Sequence, residues 1–439
     1  MAPLSILIVG CGIGGPTVAS FLLLSSTSVQ DKPHVTIVER TPAIKVQGQN
    51  IDIRGAGATV IRKLGLESAI RSSTTGEKGS QFVDANNRVW GARAADESGR
   101  VQTGTSDIEI LRGRLADLCY RRNLTISEDV KKAGGAGVDY IFDDYLDELD
   151  QDGQKVHVRF ARSGERKSFD LVVGADGLQS RTRRMVWGKE GENDRLHRLG
   201  MYGAFFSLPK SETDTDWRRW YHAPGKRSIM VRPSSQKDTT TVFMTICNEE
   251  DARLREVAMD GSKGIDAQKA LLKDYFHDAG WESKRLIKGM EASDDFYYDI
   301  IGQVKMESWS KGRVVLLGDA GYCGSPVSGM GTTLALNGAY NLAGALSLHP
   351  EDHTAAFAAY EERMRPIVER AQKLPPGIQR IFGLETAWGI FTFHVIFRFF
   401  SLFNWSGLAA LMFKFFGSPA SSVPVEDFGF KQLPEWHDY

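Results

Sequence analysis

The stretch "LSILIVGCGIGGPTVASFLL", Leu4 to Leu23, decides the fold. "ILIV" is a short apolar run with β-branched residues, as suits a buried parallel strand. Gly10, Gly12 and Gly15 follow in a GxGxxG spacing, and "PTVASFLLL" continues with helical spacing. In such a unit the first glycine permits a tight turn, the second lets a pyrophosphate approach the backbone, and the third lets the helix pack on the sheet. The helix N-terminus then faces the phosphates. Glycine turns after strands are common, so context decides. "HVTIVER" reads as a second strand ending in Glu39, about the distance past the glycines expected of a ribose-binding acid. A carboxylate there accepts hydrogen bonds from ribose hydroxyls and repels a 2′-phosphate. The ligand implied is an ADP moiety, belonging to FAD or to NAD.

A second unit of the same kind is "VVLLGDAGYCGSPVSGMGTT", Val314 to Thr333. One Rossmann unit could hold a nicotinamide dinucleotide. Extended FAD is longer and needs a second contact at its ribityl–pyrophosphate end. Asp319 can accept hydrogen bonds from ribityl hydroxyls, and "GSPVSGMG" can bring backbone amides against a flavin ring. Between the two units, "EILRGRLADLC" places Leu111, Leu115 and Leu118 on one helical face, with Arg112 near the helix start. "FDLVVGADGLQSRTRR" reads as a buried strand ending at Gly174, a turn at Asp176–Gly177 and a basic segment.

At 439 residues the chain has room for two or three domains, or one large core with an inserted second one. Its 54 basic and 55 acidic residues give no reason to expect a nucleic-acid partner. The four cysteines lie far apart with no CxxC, which argues against a disulfide framework or a cysteine zinc site and suits a reducing compartment. Nine scattered histidines, without HExxH or HxH, favour a metal-free site. Leu4–Val9 lacks a basic n-region, and a glycine loop stands where a cleavage site would be, so the expectation is a cytoplasmic protein without a signal peptide.

Between Tyr202 and Ile246, "YGAFFSL", "RRWYHA", "SIMVRP" and "TTTVFMTIC" are short aromatic or β-branched runs separated by turns, the pattern of an antiparallel sheet. Tyr202, Phe206, Trp220, Tyr221, Met230 and Phe243 are the candidates for an aromatic substrate pocket, although alternation turns only some of them inward. Arg232 either pairs with a phenolate or enolate or lies on the surface. The fold expected is α/β. A Rossmann-type FAD-binding domain with a parallel sheet takes 1–75, 105–184 and 290–380. An inserted antiparallel-sheet substrate domain takes 76–104 and 185–289, and a C-terminal apolar helix and tail take 381–439. From Trp388 to Gly417 no uninterrupted apolar run reaches the ~18–20 residues of a membrane span. Three readings stand: a helix clasping the two domains, an interfacial helix in peripheral contact with a membrane, and a true span.

Together GxGxxG with Glu39, the "GADG" turn and the late "GD" segment resemble the group A, single-component flavoprotein monooxygenases of the p-hydroxybenzoate hydroxylase fold, over about Leu4 to Arg370. "NIDIRGAG" (Asn50–Gly57), "RGRL" and "GSPVSGMGTTLALNGAYNLAGAL" look closest to the branch of tetracycline-degrading monooxygenases and aromatic polyketide hydroxylases. The resemblance implies that Gly10, Gly12, Gly15, Glu39 and Arg40 hold the ADP part and Arg112 the pyrophosphate side. It assigns Asp319 to the ribityl chain, and Pro326, Gly329 and Gly331 to the border of the isoalloxazine. Asp176 and Gly177 would serve both the FAD side and the path of NADPH or NADH. Reduced flavin would react with O2 to give a C4a-hydroperoxide, which hydroxylates or epoxidises a bulky electron-rich compound such as an aromatic polyketide or a polyene. No Ser-His-Asp or Cys-His arrangement is visible, and a monomer is expected. The alternatives are a noncatalytic flavin-binding module and a flavin oxidoreductase without oxygen insertion. Two departures stand out: Tyr322 occupies the His position of GDAAH, and Thr333 the Asn position of GxGxN.

Overall fold

A computed structural model describes residues 3–44, 48–94, 108–236, 238–259, 263–374, 377–402 and 425–436. Strand β1 (Ser5–Val9) leads through the glycine turn into helix α1 (Gly14–Leu24) and on to β2 (His34–Glu39). Leu7 and Ile8 have no exposed surface, as an apolar run buried on both faces of a sheet requires. Next come β3 (Asn50–Asp52), α2 (Ala56–Lys63), α3 (Glu67–Arg71), β4 (Gly79–Val83), β5 (Val89–Ala94), β6 (Glu109–Leu111) and the long α4 (Arg112–Lys132). Leu115 and Leu118 of α4 are buried, while Arg112 at its first turn is exposed.

After β7 (Val138–Phe142), the antiparallel strands β8 (Leu146–Gln151), β9 (Val156–Phe160) and β10 (Arg166–Phe169) lead to β11 (Leu171–Gly174). Short helices α5 (Arg181–Trp187) and α6 (Glu192–Arg195) precede β12 (Leu196–Pro209), β13 (Arg218–Ala223), β14 (Arg227–Pro233) and β15 (Thr239–Ile246). Helices α7 (Ala252–Met259), α8 (Gly264–Phe276) and α9 (Ser283–Ala292) come before β16 (Tyr297–Val304), β17 (Ser310–Lys311) and β18 (Val314–Leu316). The chain then runs through α10 (Asp319–Tyr322), α11 (Gly331–Leu348), α12 (His353–Gln372), α13 (Ile378–Phe382) and α14 (Ala387–Leu402).

One sheet has the order β17-β18-β11-β1-β2-β7 and is parallel apart from β17. Its register sets the site, because Val9 lies opposite Gly174 and Val38, and Gly174 lies opposite Leu316. The GxGxxG, GADG and GD turns therefore leave the same carboxyl edge at one level, beside the end of β2. Ligands of open α/β sheets bind at such an edge. The second sheet has seven strands in the order β16-β12-β15-β14-β13-β4-β5, antiparallel except for β13 against β4. Strand β16 falls in the 290–380 stretch expected with the parallel sheet, yet it pairs with β12. The chain crosses back only after Val304, because Tyr298 and Ile300 belong to the helix-covered core of the second sheet.

Candidate active site

At the first turn, Gly10 has φ +111°, and a Cβ there would lie 2.5 Å from the Ala175 carbonyl oxygen. A Cβ on Gly15 would overlap the Gly10 carbonyl, so α1 could not start where it does. At Gly12 a Cβ would meet nothing within 4 Å, and the start of α1 carries no capping side chain. Its first amides are thus open to an anion. Glu39 is held rigidly: Oε2 accepts from the Cys11 amide at 2.9 Å, and Oε1 accepts from the Thr41 amide and hydroxyl, each at 3.0 Å. With two lone pairs per oxygen, Oε2 retains capacity for a ligand hydroxyl. Arg40 is exposed beside it.

Asp319 stands at the first turn of α10, after Gly318 at φ +65°. Its Oδ1 is 3.8 Å from where a Cβ on Gly331 would be, so a carboxylate and the uncapped start of α11 adjoin. The intervening loop makes a single 3-10 turn at Pro326–Ser328, and Gly329 follows in the left-handed region. Among the described residues the buried Ser325 hydroxyl has no partner. Two helix starts, a ribose-type acid and a second acid along one sheet edge fit an extended dinucleotide such as FAD. Asp176 does different work, since Oδ1 accepts from the Ser180 hydroxyl at 2.6 Å and Oδ2 accepts from the Thr182 amide at 3.0 Å. Its carboxylate shapes the turn, and Gly177 offers open backbone.

Arg183, which the sequence did not single out, has no exposed surface and joins two of the turns. Its guanidinium donates to the Leu178 carbonyl at 2.8 Å and the Ala320 carbonyl at 2.7 Å, with Glu192 balancing the charge. The two departures are also resolved. Tyr322 turns away from the loop into the core, its hydroxyl 2.7 Å from that of Tyr360 and its ring 4.5 Å from Trp309. Thr333 is fully buried, donating to the Arg54 carbonyl at 3.3 Å and accepting from the Arg54 amide at 3.4 Å. Both positions serve packing between elements.

The second sheet turns one face to this edge. Thr241 donates to Asn50 at 3.0 Å, Gln179 of the GADG segment donates to Asp299 at 3.0 Å, and the Tyr297 hydroxyl lies in the fields of Arg112 and Asp319. Burial raises the Asp299 carboxyl above the usual carboxylate range, although Tyr297, Gln179 and the Ile300 amide all donate to it. Across this face the pairing register lines up Phe82, Trp220, Met230, Phe243, Phe205 and Tyr297, one from each of six adjacent strands. Phe205 and Phe243 stack at 4.2 Å, and Phe82 and Trp220 at 5.2 Å.

Of the expected substrate residues, Trp220, Met230 and Phe243 lie in this row. Tyr202, Phe206 and Tyr221 do not, because each is one residue out of phase and packs in the core with α7–α9. Arg232 faces the cleft but is not free for a substrate anion: Nε donates to Glu77 at 2.8 Å, and the guanidinium also meets Glu109. Phe82, Phe205 and Tyr297 were missed. Two-residue alternation in "YGAFFSL" predicted an inward set but not which of the two phases it was.

The tail reaches the second sheet and the helices that cover the first. Phe393, His394 and Phe397 of α14 pack on Phe82, His222 and Trp90. Further on, Phe430 is buried against Phe21 and Tyr340, and the Trp436 amide donates to the Gly65 carbonyl at 2.7 Å. The outer side of α14 exposes Trp388 (78%), Phe391, Val395, Ile396 and Phe399. No helix among the described residues is long and apolar enough to cross a membrane. Residues 403–417 of the expected apolar stretch lie outside the described residues.

Against known proteins, the family described as FAD binding domain matches residues 4–374. FAD-dependent monooxygenase asL6 of Sarocladium schorii is 34% identical over 396 residues, covering 89% of this chain and 90% of that protein. Monooxygenase CTB7 of Cercospora beticola is 33% identical over 406 residues, covering 91% and 93%. Among solved structures, tetracycline destructase Tet(51) matches with a TM-score of 0.72 and 29% identity, over 91% of this chain and 98% of that one. The glycine turn, Glu39 and the Asp319 loop thus have a family to which they belong: this chain is a member of the FAD-binding-domain family and of its group A FAD-dependent monooxygenases.

Proposed function

We propose that the protein uses NAD(P)H, with NADPH as the donor, to place one oxygen atom of O2 in a bulky, electron-rich small molecule by the C4a-hydroperoxide route. The second oxygen leaves as water, so two electrons from NAD(P)H balance the reaction. FAD, when bound, supplies the oxygen chemistry. The residues of the chain bind, orient and exclude water. Glu39 takes the ribose hydroxyls, and the start of α1 together with Arg112 takes the pyrophosphate. Asp319 takes the ribityl chain, and the Gly329–Gly331 backbone borders the ring.

The observation that carries the substrate class is the row from Phe82 to Tyr297, six strands wide and aromatic at every position but Met230. Such a wall stacks on a planar ligand and keeps water from the reacting centre. The printed names of the relatives, monooxygenase for asL6 and CTB7 and tetracycline destructase for Tet(51), support the monooxygenase part of this reading. Screening planar phenolic and enolic compounds for stimulated NADPH oxidation tests it. We expect large fused-ring compounds to stimulate and small aliphatic ones not to. Equal rates with and without every aromatic compound would favour a flavin oxidoreductase without oxygen insertion.

A further inference from the structure

Helix α14 is apolar on both of its sides, and one of them faces solvent. The inner side presents Phe393, His394 and Phe397, which pack on the rings of Phe82, Trp90 and His222. The outer side carries Trp388, Phe391, Val395, Ile396 and Phe399, spaced three, four, one and three residues apart. At helical pitch that spacing makes one stripe along the helix. Trp388 is 78% exposed, and the other four lie between 43% and 56%. A helix on the surface of a soluble protein normally turns a polar face outward, and one that is apolar all round is normally buried. A contiguous exposed stripe of large apolar side chains therefore marks an interaction surface.

Charge selects what covers it. From Thr386 to Val425 the sequence has no Asp or Glu, and its only Lys or Arg residues are Arg398 and Lys414. Arg398 is exposed three residues past Val395, on the flank of the stripe. The last carboxylate before the helix, Glu385, faces Lys226 at 3.8 Å. A second copy docked face to face on this stripe would bring two basic flanks together, with no carboxylate from either stripe to offset them. An anionic lipid surface suits both features, because the acyl boundary takes aromatic and aliphatic side chains and the headgroups attract arginine. The adjoining edge strand β5 continues the pattern. Its Trp90 meets Phe391 at 5.7 Å, Arg88 lies 5.2 Å over the Trp90 ring, and Val89 is 41% exposed.

We propose that the outer side of α14 docks on a membrane surface bearing anionic lipid, with the stripe from Trp388 to Phe399 seated between headgroups and acyl chains. At 16 residues the helix is too short to span, so it lies along the surface while its inner side stays on the second sheet. Phe82, the first residue of the cleft row, packs directly under this helix, which sets that end of the row next to the bilayer. The docking stands apart from the reaction and does not rest on the monooxygenase reading.

Flotation of the FAD-loaded full chain tests this with two vesicle preparations, phosphatidylcholine alone and phosphatidylcholine mixed equally with phosphatidylserine. The wild type should float with the mixed vesicles and bind phosphatidylcholine alone several-fold less, since each basic residue near an anionic surface adds about fivefold. Replacing both Val395→Ser and Ile396→Ser takes two apolar side chains off the outer side. Binding to the mixed vesicles should fall by at least about tenfold, with melting temperature and flavin content held at wild-type values. Trp388→Ser, at the most exposed position, should weaken flotation in the same direction and serves if the double variant fails to fold. Undiminished flotation of the folded variants overturns the proposal. So does a wild type that floats with neither preparation, whether it runs as a monomer or as a dimer through the same residues.

Discussion

Asp319 stands at the far end of the cofactor cleft beside the buried Cys323 thiol, whereas Glu39 at the near end is braced by the Cys11 and Thr41 amides. A hydrogen bond to a charged acceptor contributes about 1.5–3 kcal/mol, so Asp319→Ala should weaken FAD binding by roughly 10- to 150-fold. Flavin titration of apoprotein checks this, and unchanged affinity would remove Asp319 from the site. Phe206 and Phe243 test the two faces of the second sheet. Phe206 packs under α7–α9, so Phe206→Ala should cost about 3–5 kcal/mol of stability with KM unchanged in the enzyme that still folds. Phe243 stacks on Phe205 in the cleft, and Phe243→Ala should raise KM for an aromatic substrate. The reverse pattern would mean the face assignment is inverted. At this scale the motif residues were legible, because backbone and carboxylate chemistry at a glycine turn admits few substitutes. The partners of Arg232 were not, since Glu77 and Glu109 lie far from it in sequence. Arg183 looked no different from Arg181 or Arg184 beside it.

Among the elements, α14 matters most for the account. Its inner side covers Phe82 and His222, and the chain beyond it docks Phe430 on α1 and α11. Ending the chain before Trp388 should therefore lower the melting temperature and FAD retention together. A truncated protein with unchanged melting that moves from membrane pellet to supernatant would instead make α14 a membrane anchor alone and not a clasp. The packing of α14 on His222 also has a pH signature. Burial pushes His222 down to about 4, with nearby His394 lowering it further and the Ile381 contact opposing, while an unfolded histidine titrates near ~6.5. Between those values the unfolded chain takes up a proton that the folded chain refuses. Stability is whole above ~6.5 and falls as pH drops toward 4, by roughly 3 kcal/mol in all. His394 is lowered by burial too, against the opposing charge of Asp84, and so acts in the same direction. Urea unfolding at pH 7.5 and pH 5 should show a smaller loss in His222→Phe than in the wild type, and equal losses would contradict a buried neutral imidazole. Strand and helix types were legible from period and glycine placement. Strand β16 joined the second sheet because its alternate residues Tyr298 and Ile300 bury there, a partnership that no local pattern reports.

For the whole molecule, three turns level at one sheet edge face an aromatic wall, and the tail touches both layers. The four thiols are all pushed up by burial, Cys119 and Cys247 to about 12, so none is a thiolate at neutral pH. The parallel sheet with a second, mainly antiparallel sheet was readable from two glycine units and one change of texture. How the sheets face each other was not, because contacts such as Gln179 to Asp299 and Thr241 to Asn50 join residues more than a hundred positions apart. The central claim is that this architecture inserts oxygen. Its most direct test is mass spectrometry of the product made by FAD-loaded enzyme and NADPH from a stimulating aromatic compound under 18O2. The account predicts a product carrying one 18O atom, with the other in water. A product without label, or NADPH consumed with hydrogen peroxide as the sole oxygen product for every compound, would contradict it.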